Sequence, residues 1–122
     1  METTQQRAQV IRDYTAEFPD PIVVQAGEPL TLSSKVDHWN DNPAWVWLWC
    51  TDPRGKSGWT PQNRIETRDQ KSFARVDYSA VELTATVGEI LSIEAAESGW
   101  FWCVNQQGQR GWIPQDHVAA LP

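Results

Sequence analysis

The sequence predicts an all-β chain, two small five-stranded barrels in tandem, on two observations. A sixteen-residue segment, Trp47 to Gln62, recurs from Trp100 to Gln115 at an offset of 53, with eight identities and no gap. No stretch carries the 3.6-residue apolar period of an amphipathic helix over three turns, while short apolar runs alternate with Gly, Pro, Asn and Asp. Upstream, Asp13-Tyr14 matches Asp77-Tyr78 at an offset of 64, and Gly27-Glu28 with Leu30 matches Gly88-Glu89 with Leu91 at 61. Length changes fall in two places only, which loops permit and strands do not. The chain therefore reads as a tandem duplication.

Each copy divides into short strands in the same order. Thr31-Leu32-Ser33-Ser34 and Ser92-Ile93-Glu94-Ala95 follow a Gly-Glu turn. An aromatic strand comes next, residues 47–50 and 100–103, then a turn at Asp52-Pro53-Arg54-Gly55 or Asn105-Gln106-Gln107-Gly108, then Gly58-Trp59-Thr60-Pro61 or Gly111-Trp112-Ile113-Pro114. Residues 36–44, rich in Asp and Asn, read as a surface loop of the first copy. The charged polar run 67–72 reads as a linker; about six flexible residues reach roughly 14 Å, which sets the two copies side by side. The expected organisation is a tail at 1–8, one domain at 9–66, the linker at 67–72 and a second domain at 73–122.

Composition excludes several classes of function. A net charge of −6 lacks the basic face that nucleic acid or an anionic membrane requires. No run approaches the ~20 apolar residues of a membrane span. The opening Met-Glu-Thr-Thr-Gln-Gln is polar, without a secretory pattern, so a cytoplasmic location is expected. Two cysteines and two histidines carry no metal-ligand spacing, and no nucleophile elbow, phosphate loop or carboxylate pair suggests catalysis, so neither enzyme activity nor a cofactor is expected. Cys50 and Cys103 occupy matching positions in the two copies, and eight tryptophans in one chain call for a cover.

Five motifs in order, twice, resemble the Src homology 3 (SH3) family, in particular its divergent variant branch. The first copy offers Val10-Ile11-Arg12-Asp13-Tyr14, Gly27-Glu28, Trp47-Leu48, Gly58-Trp59-Thr60-Pro61 and Gln62-Asn63-Arg64-Ile65. The second offers Ala74-Arg75-Val76-Asp77-Tyr78, Gly88-Glu89, Trp100-Phe101, Gly111-Trp112-Ile113-Pro114 and Gln115-Asp116-His117-Val118. The resemblance covers nearly the whole chain, and the small size and divergent motifs suggest a bacterial source.

It implies a non-catalytic interaction module that takes a protein or proline-containing peptide in an aromatic groove. The carried-over groove residues are Tyr14, Trp47, Trp59 and Pro61, and in the second copy Tyr78, Trp100, Trp112 and Pro114. Two family tyrosines are replaced in each copy, by Arg12 and Arg64 or by Val76 and His117. Each lost wall removes about 1–2 kcal/mol of apolar contact. The long acidic loop after the first motif, named the RT loop in this family, supplies Glu17 and Asp20 in the first copy and Glu82 in the second, which makes the first copy the expected binder. Asp13 and Asp77 read as structural acceptors at the base of that loop. The family pattern further implies that Cys50 and Cys103 point inward as two separate buried thiols. Strand alternation then turns Trp47, Trp49, Trp100 and Trp102, joined by Trp45 if the strand starts there, to the opposite face as a stripe of exposed indoles. A rival expectation is a structural or assembly protein whose stripe, with Trp45, Trp49 and Trp102, packs between domains or in a homodimer. A further rival is cell-wall peptide binding.

Overall fold

The computed structural model describes residues 6–122; most of the expected tail, residues 1–5, lies outside them. The strands in chain order are β1 (Gln6–Val10), β2 (Val23–Val24), β3 (Pro29–His38), β4 (Val46–Thr51), β5 (Ser57–Pro61), β6 (Ile65–Arg68), β7 (Lys71–Ala74), β8 (Tyr78–Ser79), β9 (Ile90–Glu97), β10 (Trp100–Val104), β11 (Arg110–Pro114) and β12 (Val118–Ala120). Short 3-10 turns occur at Trp39–Asp41, Gln62–Arg64 and Gln115–His117. Among the described residues there is no α-helix, and the fold is all-β.

The chain forms two compact units, and they do not follow the sequence repeat. Among the described residues, one comprises 6–17 with Glu82–Pro122, the other Phe18–Val81. The first contains a five-stranded antiparallel sheet in the order β11-β10-β9-β1-β12, the second a five-stranded sheet in the order β5-β4-β3-β7-β6. The opening strand of the first copy thus sits among strands of the second copy, and the opening strand of the second copy among those of the first. The division at 9–66 and 73–122 is replaced by an exchange of arms, residues 6–17 for residues 71–81. The chain passes between units after Glu17 and again after Val81, inside the two acidic loops.

The expected linker is part of a hairpin instead. Residues 67–72 lie in a hairpin, with Ile65 opposite Ala74, Glu66 opposite Phe73, Thr67 opposite Ser72 and Arg68 opposite Lys71. Only Asp69 and Gln70 form its turn, at φ 51° and 65°. Two left-handed residues make a type I′ turn, whose twist matches that of the flanking strands. β6 therefore runs straight into β7 within one sheet.

The expected loop 36–44 also contracts. β3 continues through His38 with Val36, Asp37 and His38 paired to Leu48, Trp47 and Val46, past an irregularity between Leu32 and Val36. The turn at Trp39–Asp41 then closes the hairpin, with the Trp39 N–H donating to Trp45 O at 3.0 Å. Trp45 itself stands one residue before β4.

Each unit has its own buried set. In the unit built on β1, Ala8, Val10, Leu83, Ala85, Leu91, Cys103, Ile113 and Val118 form the core, with Tyr14, Ile93 and Phe101 packed against it. In the other, Ile22, Val24, Leu30, Cys50, Ala74 and Ala80 are buried. A large aliphatic side chain taken fully out of water contributes about 1.5–3 kcal/mol. Both thiols are free and fully buried, one in each unit, where they act as small apolar groups.

Two turns repeat in matching chemistry. Asp52 Oδ1 accepts the Arg54 and Lys56 N–H groups, and Asn105 Oδ1 accepts those of Gln107 and Gln109. The Asp side chains at the loop base are acceptors, as expected, yet each reaches into the other copy's turn: Asp13 Oδ1 accepts Val87 N–H and Asp77 Oδ1 accepts Ala26 N–H, both at 2.8 Å.

Candidate functional site

The exchange redistributes the expected groove residues. Tyr14 leaves Trp47, Trp59, Pro61 and Arg64 and joins Trp100, Trp112, Pro114 and His117. Tyr78 makes the opposite move.

In the first unit the backbone fixes Tyr14 before its side chain acts. Tyr14 N–H donates to Ala85 O at 2.8 Å and Ala85 N–H returns to Tyr14 O at 2.9 Å. Its ring then meets the edge of Trp100 at 5.6 Å and 83°, and that of His117 at 5.4 Å and 87°. Edge-to-face pairs of this kind contribute about 0.5–1.5 kcal/mol beyond the area they bury. Trp100 stands opposite Pro114 and Trp102 opposite Trp112, whose rings meet at 5.3 Å.

The polar end of this cluster is a carboxylate. Glu82 Oε1 accepts the Tyr14 hydroxyl at 2.8 Å and the Glu17 backbone N–H at 2.9 Å. Glu82 is brought there by a parallel bridge to Trp112, in which Leu83 N–H donates to Trp112 O at 2.9 Å. That approach requires Gly111, because a Cβ there would lie 2.7 Å from the backbone of both Glu82 and Leu83. Burial raises the Glu82 carboxyl above its ordinary range, against the opposing pull of its two donors. The Tyr14 hydroxyl is raised as well, by burial first and then by its bond to Glu82. His117 completes the face: its Nδ1 is buried with no hydrogen-bond partner, and its Nε2 stands 3.9 Å from Asp116 Oδ1.

The second unit has the same plan and different chemistry. Trp47 stands opposite Pro61, and Trp49 opposite Trp59, their rings 5.2 Å apart. Phe18 tilts onto Trp49 at 5.1 Å, and Lys35 Nζ lies 5.3 Å from its centroid. Tyr78 donates its hydroxyl to Trp59 O at 2.7 Å. Pro21 holds the place that Glu82 holds in the other unit, so no carboxylate meets that tyrosine. Asp20, the expected cation acceptor, is ion-paired to Lys56 at 2.9 Å. Arg64 ends the turn Gln62–Arg64, half-buried, at the position that matches His117.

The expected stripe is corrected in its leading members. Trp47 and Trp100 are buried, at 5% and 8% exposure, rather than bare. Trp45, Trp49, Trp59 and Trp102 are half-buried. Pairing Trp49 with Trp59 and Trp102 with Trp112 lets each indole cover its neighbour, which strand alternation alone does not reveal. Sequence reasoning missed Phe18 and Lys35 as covers of Trp49, and it gave Glu82 to the wrong tyrosine. Phe18, an aromatic residue set between Glu17 and Pro19, was the available signal.

Residues 71–121 match the variant SH3 domain family. No curated protein and no solved structure matches the chain. The matched stretch is continuous in sequence, whereas the compact units divide it after Val81. The stretch that is similar to a variant SH3 domain thus gives its opening strands to one unit and its remaining strands to the other.

Proposed function

We propose that the chain is a non-catalytic protein-interaction module whose working face is Tyr14 and His117 beside Glu82 and Glu17, backed by the buried Trp100, Trp112 and Pro114, and that it takes a cationic, proline-containing peptide. An SH3-type domain suggests such a module. The observation that carries the finer reading is the half-buried Glu82 carboxylate at the end of an aromatic cluster. A guanidinium arriving there gains a charge-assisted bond in a partly desolvated setting, while prolines lie against the half-buried rings of Tyr14 and His117. The unit that holds this face has three basic and eight acidic side chains, against seven and eight in the other unit. The preference for a first-copy groove moves accordingly, because Asp20 is already paired to Lys56 and Glu17 stands with Glu82.

A titration of the full chain with an arginine- and proline-rich peptide, followed through its indole N–H resonances, tests this reading. Glu82→Gln keeps the shape of the site and is expected to weaken binding about tenfold, a loss of ~1.4 kcal/mol. Asp20→Asn is expected to change it less than twofold. Equal effects of the two variants would refute the assignment.

The partial exposure of Trp45, Trp49 and Trp102 leaves apolar surface for a second reading, a structural or assembly role in which these three contribute to a homodimer. No shift of any indole on peptide addition, together with a dimer mass in solution, would replace the first reading with this one.

A further inference from the structure

The two arms fit their sockets in one register. In the first unit Gln9 stands opposite Ile90 on one side and Ala119 on the other. In the second, Phe73 stands opposite Pro29 and Glu66. These three positions differ by the repeat offsets 64, 61 and 53, so each arm lies where the other would lie. Asp13 and Asp77 make the same 2.8 Å bond to equivalent N–H groups, at Val87 and Ala26. Tyr14 bridges Ala85 as Tyr78 pairs with Val24. Inward, Val10 faces Val118 and Ala74 faces Ile65. Returning the arms to their own copies changes these two pairs by one or two methyl groups and exchanges Ala8 for Ser72 beside Leu91.

The two assignments differ at three connections: Glu17–Phe18 and Val81–Glu82, long loops where the exchanged state passes between units, and the two-residue turn Asp69-Gln70, where the sequential state would. Arg68 and Lys71 are joined by three virtual bonds, at most about 11 Å of chain. In the exchanged state they need only close a hairpin; in the sequential state they must carry the chain from one sheet to another, which unpairs β6 from β7. We propose that the arms are interchangeable and that the two-residue turn at Asp69-Gln70 selects the exchanged assignment. The turn thereby sets the chemistry of the aromatic face, since exchange puts the Tyr14 hydroxyl against Glu82 and return puts it at the place of Pro21. That consequence rests on the function proposed above; the arm assignment itself does not.

Disulfide capture in the full chain separates the two. Opposite residues of antiparallel strands lie ~4.5–5.5 Å apart, within disulfide range. Gln9→Cys with Ala119→Cys reports the exchanged state, and Gln9→Cys with Glu66→Cys the sequential one. Cys50 and Cys103 are fully buried and stay out of the reaction. At natural turn length the 9/119 pair is expected to oxidise within one chain and the 9/66 pair to remain reduced. With eight Gly/Ser residues inserted between Asp69 and Gln70, the 9/66 pair is expected to oxidise within one chain as well. Oxidation of the 9/66 pair at natural length overturns the selecting role of the turn. Its failure to oxidise in the lengthened, folded chain, where the 9/119 pair still does, overturns interchangeability. Neither readout involves peptide binding.

Discussion

Glu82 and Glu28 show how one side-chain type responds to two settings, and they predict opposite acid behaviour. The Glu82 carboxyl is raised, chiefly by burial, so the folded chain holds its proton more tightly than the unfolded one. Its contribution is fully present below the ordinary carboxylate range and fades as the pH rises through the raised value. Glu28 is lowered to about 2 by its bonds from Arg54 and from the Gln25 N–H, so its contribution is present above about 4.5 and is lost as the pH falls toward 2. Thermal unfolding across this range is expected to show Glu28→Gln flattening the acid loss. Glu82→Gln is expected to exceed the wild type at pH 7 by more than at pH 4, even as it loses peptide affinity. A parallel shift of either variant at all pH values would contradict the assignment.

Two buried thiols make a simpler case at the same scale. Burial pushes Cys50 up to about 11 and Cys103 to about 12, which leaves almost no thiolate at neutral pH. A thiol reagent is expected to titrate neither in the folded chain and both after unfolding. Reaction of one equivalent in the folded state would mean that a core opens locally.

At the scale of elements, the β6–β7 hairpin and the Gly111 contact carry the arrangement. Gln70 holds φ 65° without being glycine, a backbone state that costs ordinary residues about 1–2 kcal/mol. Gln70→Gly is expected to raise the melting temperature by a few degrees, because the turn then takes a residue suited to it. Gly111→Ala is expected to do the reverse, at about 1–3 kcal/mol, since its methyl would press on the backbone that carries Glu82. Gly58→Ala meets the Cβ of Ala80 at 3.0 Å and is expected to cost less. Calorimetry of the three variants ranks them directly.

These elements also mark the reach of the sequence. The repeated motifs, the aromatic strands and the Gly-Glu turns follow from residue identity and spacing, because each depends on local pattern, while the inward cysteines follow from the resemblance. The owner of each arm does not. Ala74-Arg75-Val76-Asp77-Tyr78 and Val10-Ile11-Arg12-Asp13-Tyr14 suit the same socket, and Asp69-Gln70 lacks the glycine that advertises a type I′ turn. A polar stretch with no such signal reads as a linker, and every groove assignment built on it then pairs the wrong tyrosine with the wrong acid.

At the scale of the molecule, the exchange makes one unit continuous and the other discontinuous. Phe18–Val81 carries its own five strands, its ladder of β2 with β8, and the ion pairs of Arg54 with Glu28 and Lys56 with Asp20. Glu82–Pro122 lacks the strand between β9 and β12, and with it Ala8 and Val10, which are buried to 0% and 1% exposure. A core that loses a central strand leaves two unpaired sheet edges and a void, and large-to-small losses of this kind cost several kcal/mol. The fragment 18–81 is therefore expected to fold alone, with dispersed amide resonances and cooperative melting. The fragment 82–122 is expected to remain unfolded until a peptide spanning residues 4–17 is added. Dispersed resonances from 82–122 alone would show that β1 is dispensable to its sheet, and an unfolded 18–81 would show that the continuous unit needs the rest of the chain.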